Sequence, residues 1–137
     1  MRIRFSIVVL SLFAAPVFGH HAFLTEFDSS QPVQVTGTVT TVEWKNPHTY
    51  FYVEIRDRRG STADWTFETA GPLGLARNGW TRDSIRAGDQ ITIFGYRSRS
   101  GLRIASARSV LLKNGRKLSA GSLYDGGPNG KGLTHGI

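Results

Sequence analysis

Across residues 49–56 apolar and polar positions alternate without a break: Phe51, Val53 and Ile55 fall on one side, Tyr50, Tyr52 and Glu54 on the other. A period of two sends the first set into a core and the second onto an outer face, so the segment predicts a half-buried strand. Residues 62–69 repeat the pattern with Trp65 and Phe67 inward, and residues 57–61, with Gly60, read as the hairpin loop between them. Upstream, residues 33–44 carry Val33, Val35, Val39 and Val42 among threonines, a β-branched density that argues for another strand. Gly37 inside it predicts a bulge or sharp bend. Asn46-Pro47 marks a turn. Residues 90–97 place Ile91, Ile93 and Gly95 inward, and residues 102–113 form a fifth strand through Ile104, Val110 and Leu112.

The period changes only once, after Gly71-Pro72. Residues 73–78 predict a helix of one or two turns, with proline at its start and Gly79 just past its end. The order is therefore strand, strand, strand, short helix, strand, strand. That layout predicts an all-β domain over residues 33–118: a small five-stranded OB-like barrel with its helix between the third and fourth strands. A two-sheet sandwich is the alternative. Phe51, Val53, Ile55, Trp65, Phe67, Ile91 and Ile93 are the expected core. Residues 20–32 are irregular, and residues 119–137 are glycine-rich with few apolar side chains, which predicts a flexible tail.

The first nineteen residues read differently from the rest. Arg2 and Arg4 precede an apolar run over residues 5–15, Pro16 breaks it, and Val17-Phe18-Gly19 offers residues a signal peptidase accepts. The run is shorter than the ~20 residues a membrane span needs. Residues 1–19 are thus an expected signal peptide, and the mature chain, secreted or periplasmic, would begin at His20 and hold 137 − 19 = 118 residues, with no transmembrane segment. Loss of two arginines lowers the net charge from +7 to +5. The remaining basic residues lie mostly at predicted turns, and export argues against a nucleic-acid partner. The absence of cysteine excludes disulfides and thiolate metal sites.

Certain residues carry a resemblance. They are His20-His21-Ala22-Phe23, Phe27-Asp28, Gly37-Thr38-Val39, Asn46-Pro47-His48, Trp65 with Glu68, Gly71-Pro72, Arg77-Asn78-Gly79-Trp80, Gly88-Asp89, Gly95 and Asn114-Gly115-Arg116. The chain resembles a family of bacterial exported proteins with a domain of unknown function, a signal peptide and a His-His-Ser-Phe-like mature start. Ala22 stands where that family more often has serine. The resemblance implies an exported small β domain and no established activity.

Candidate chemistry rests on histidine. A terminal His20 offers its amine and its ring nitrogen to one ion, and His21 and His48 add imidazoles. A planar nitrogen set of that kind suits copper(II). His20, His21 and His48 are accordingly the candidate metal ligands, with copper as the candidate cofactor. Trp44, Tyr50 and Tyr52 are read as a candidate ligand groove, since an OB-fold binds partners across its second and third strands. No acid/base pair, nucleophile elbow or phosphate loop is present, so the chain reads as a non-enzymatic binding protein. The alternative is an adaptor that binds a periplasmic protein or glycan through its exposed β face. A metal-dependent redox enzyme would need the same histidines and an open coordination position.

Overall fold

The computed structural model describes residue 23 and residues 25–122. Alternation acts most directly in the central hairpin. β2 (Tyr50–Arg56) and β3 (Thr62–Glu68) pair antiparallel from Tyr50↔Glu68 to Arg56↔Thr62 without a register shift. Asp57 holds the connecting turn, its Oδ1 accepting from the amides of Arg59 and Ser61 at 2.8 and 2.9 Å.

β1 (Phe27–Glu43) is longer than the sequence predicts, beginning at Phe27 and not at Val33. The extension is hidden because residues 28–31 are polar and bond among themselves. Asp28 accepts from the Ser30 amide at 3.0 Å, the Ser30 hydroxyl at 2.7 Å and Gln31 Nε2 at 2.9 Å. Phe27, opposite Ser98, and Pro32, opposite Tyr96, fasten this stretch to β4 (Gln90–Ser98), with the register shifting between them.

β1 serves two partners. Residues 33–38 lie opposite β4, and residues 38–43 lie mostly opposite β2. The changeover falls beside Gly37, where a Cβ would stand 2.5 Å from the Glu54 carbonyl oxygen and 2.7 Å from a Val53 methyl. Any side chain there would push the strands apart. The bulge itself sits slightly later, between Val39 and Thr41.

β5 (Ile104–Leu111) lies antiparallel to β4, while its first residues run parallel to the end of β3 through Thr66↔Ile104, Phe67↔Ala105 and Glu68↔Ser106. A sixth strand, β6 (Lys117–Ser119), pairs with the other half of β5. It corrects the expectation of five strands. Three residues with one apolar side chain, Leu118, leave no periodicity to read. Among the described residues the fold is all-β, with one short helix between β3 and β4 and a single sheet in the order β3-β2-β1-β4-β5-β6 with the additional β3–β5 pairing.

The helix, α1 (Pro72–Arg77), buries only Leu75. Leu75 joins Val39, Phe51, Val53, Phe67, Trp80, Ile91, Ile93 and Val110 in the main core. Ile55 and Trp65, expected inside, are half-buried at its margin. Alternation fixes which side they face but not how deep they lie.

The packed chain also continues past Leu118. The Trp80 indole donates to the Ser119 carbonyl at 2.6 Å. Ala120 is fully buried; its amide donates to the Arg108 carbonyl at 2.8 Å, and its carbonyl accepts from the Ala70 amide at 2.7 Å. Residues 119–122, placed by the sequence in a flexible tail, are therefore part of the packed structure. Residues 123–137 lie outside the described residues. Among the described residues no helix is long and apolar enough to cross a membrane.

A second, smaller cluster joins Phe23, Phe27 and Tyr96. Arg108, 1% exposed, lies under it with its guanidinium 4.2 Å from the Phe23 ring centroid. Its Nη1 also donates to the Ser122 carbonyl at 3.3 Å. Both ends of the described chain thus converge on one arginine.

Candidate functional site

The turn between β1 and β2 carries His48, whose ring is fastened on one side. Nδ1 lies 2.9 Å from the Thr69 carbonyl oxygen and 3.4 Å from Glu68 Oε1. A carbonyl oxygen can only accept, so Nδ1 is the nitrogen that carries the proton. In the neutral ring, Nε2 then keeps its lone pair. The side chain remains 30% exposed. A ring held through one nitrogen by a carbonyl and a carboxylate is the arrangement that usually supports a metal-ligating imidazole.

Phe23 relates the N-terminal region to this turn. Its ring meets Tyr96 edge-on at 6.1 Å. Tyr96 lies opposite Ser106, and Ser106 opposite Glu68, the carboxylate beside His48. Two strand spacings separate Tyr96 from Glu68, a backbone distance of roughly 10 Å. His20 and His21 themselves lie outside the described residues. Among the described residues no group of three or more histidines and carboxylates is placed to hold a metal ion.

The expected groove residues are divided. Tyr50 and Tyr52 stand on the outer side of β2, as the alternation predicts. Tyr52 donates to Glu43 Oε2 at 3.1 Å, Lys45 Nζ pairs with the same oxygen at 2.9 Å, and Lys45 also lies 4.9 Å from the Tyr50 ring centroid. Trp44 packs against the main core, with the Arg82 guanidinium 5.5 Å from its ring centroid. The tyrosines share a polar network; the tryptophan belongs to another neighbourhood.

The electrostatics follow from these contacts. Hydrogen bonds from Lys45 and Tyr52 hold the Glu43 carboxyl below its ordinary range. The Glu43 partner raises Lys45 and Tyr52 in turn. Burial pushes the Tyr50 phenol up, and the carboxylates of Glu68 and Glu26 add to the shift. Tyr50 therefore stays a neutral phenol at ordinary pH, suited to hydrogen bonding and not to anionic metal ligation.

A cleft of about 430 Å³ opens on the other side of the Asn46-Pro47 turn, between that turn, α1 and Gly121-Ser122. The sequence did not disclose it. Two of its lining residues, Gly121 and Ser122, belong to the segment read as tail, and a six-residue helix is too short to display an amphipathic face. The partners of His48 were equally hidden, because the Thr69 contact is made by a backbone carbonyl and has no side-chain signature.

The architecture defines the class as a β-rich domain of one sheet and one short helix, bearing a histidine on its first interstrand turn. The chain belongs to DUF6152, a family of unknown function whose model matches residues 8–107. The match takes in His20-His21, the Asn46-Pro47-His48 turn and β1 to β4, and ends within β5. No curated protein matches the chain.

Proposed function

We propose that the protein is an exported, periplasmic or extracellular, non-enzymatic binding protein that holds a copper-type ion through His20, His21 and His48. The observation that carries this reading is the fastening of His48 Nδ1 on the Thr69 carbonyl, which leaves Nε2 available as a donor. Phe23 supports it by anchoring the chain two strands from Glu68. His21 and His20 are two and three residues upstream of that anchor, a reach of roughly 7–11 Å.

The same reading takes the sheet as an OB-like barrel. The parallel β3–β5 pairing gives each of β1 to β5 a neighbour on both edges, and α1 falls between β3 and β4. A second reading, an adaptor that binds a protein or glycan through its β face, is favoured by the outward Tyr50 and Tyr52. Their hydroxyl-bearing rings offer both contact area and hydrogen bonds.

Isothermal titration of copper(II) separates the two. Three proteins are compared: one beginning at His20, one with a single extra residue before it, and His48→Ala. The extra residue removes the terminal amine chelate, and His48→Ala removes an imidazole. Each is expected to weaken binding by at least the ~10–100-fold that loss of even a supporting contact costs a metal site. Equal affinity in all three makes the histidines bystanders, and the adaptor reading then leads.

A further inference from the structure

We propose that the cleft beside α1 binds a small organic anion with an apolar body, independently of any metal. Its volume, about 430 Å³, falls within the range of small-molecule sites. Pro47, Ala70, Leu73 and Gly74 supply an apolar lining. Leu73 is 65% exposed, an unusual degree for a leucine on a helix that buries only Leu75. The polar lining residues are Asn46 on the turn, Ser122, and Arg77 and Asn78 at the end of α1.

The charge decides what class of ligand fits. Arg77 is the only charged residue among the described residues lining the cleft. It makes no ion pair with any described carboxylate, whereas Arg86 and Arg99 each have one. A guanidinium beside an apolar lining, with no described carboxylate paired to it, complements a carboxylate on an apolar body. An amine-headed molecule of the same shape would meet Arg77 as a like charge. The neighbouring His48 plays no part, since its ring is turned onto Thr69 and Glu68.

The test uses 4-phenylbutyrate and 4-phenylbutylamine, which share an apolar body and differ in the sign of the head group. Amide shifts of the full chain are followed by NMR as each is added, without metal. The butyrate is expected to give saturable shifts at Leu73, Arg77 and Asn78, and the amine to bind at least about tenfold more weakly. Arg77→Gln should bring the two to parity, and Leu73→Asp should abolish butyrate binding. Both positions are exposed, and an unchanged melting temperature checks that the fold is intact. Equal binding of amine and butyrate to the unaltered chain overturns the proposal. So do saturable shifts confined to another surface, or no saturation at all.

Discussion

The β2–β3 hairpin and the paired chain ends are built on different principles. The hairpin is local: consecutive rungs, one regular turn, and partners separated by a short loop. The ends are not. Phe23 and Ser122 meet through Arg108, a buried side chain distant from Phe23 in sequence, and Ala120 bridges Arg108 to Ala70. Local structure here follows from periodicity, whereas closure depends on a few residues whose roles exist only in three dimensions.

Arg108→Ala offers the largest test of that difference. It deletes the surface on which Phe23 and Gly121 rest and should cost about 2–4 kcal/mol of stability, as large-to-small changes in packed sites do. Chemical denaturation measures the loss. Amide exchange locates it: protection of Ala120 and Gly121 should fall well before that of Val53 or Phe67. Uniform loss across both regions would mean that the ends and the hairpin are one cooperative unit.

A smaller effect, of opposite sign, lies in the hairpin. Glu54 stands directly opposite Asp64. Like charges on facing strand positions destabilise the pair, so Glu54→Lys should raise stability by about 0.2–1 kcal/mol, a gain that added salt reduces. Thermal melts at low and high ionic strength check it.

The smallest concerns the start of β1. Hydrogen bonds from the Ser30 hydroxyl, Gln31 and the Ser30 amide, aided by Arg99, lower Asp28 from 3.8 to about 2. A lowered folded-state value stabilises the fold fully above pH ~4 and loses that stabilisation as pH falls toward 2. Asp28→Asn should therefore be less stable than the natural chain at neutral pH, the two curves converging between pH 4 and 2. A constant gap over that window would assign the effect to lost hydrogen bonds alone.

The legibility of the sequence follows the same division. Phe51, Val53 and Phe67 announce their burial because their neighbours alternate with them. Residues 28–31 conceal a strand because their side chains bond to one another and leave no apolar pattern. Ala120 is too small and too isolated to signal that it is fully buried. At the candidate site, the turn bearing His48 is visible in Asn46-Pro47. The carbonyl that orients the ring, from Thr69, belongs to a backbone shared by every residue type. Trp44, Tyr50 and Tyr52 look like one aromatic set in the sequence, yet successive residues around a turn need not share a surface.

The shared position of Thr38 bears on how the chain can change length. Thr38 lies opposite Gln90 of β4 on one edge of β1 and opposite Glu54 of β2 on the other. An inserted residue near this point cannot slide along one neighbour without disturbing the other. A slip of one position would also turn Val39 outward and a threonine inward. Insertions and deletions should therefore be tolerated best in the connecting loops, such as the Asp57 turn, and β1 acts as the ruler against which the two halves of the sheet keep their spacing.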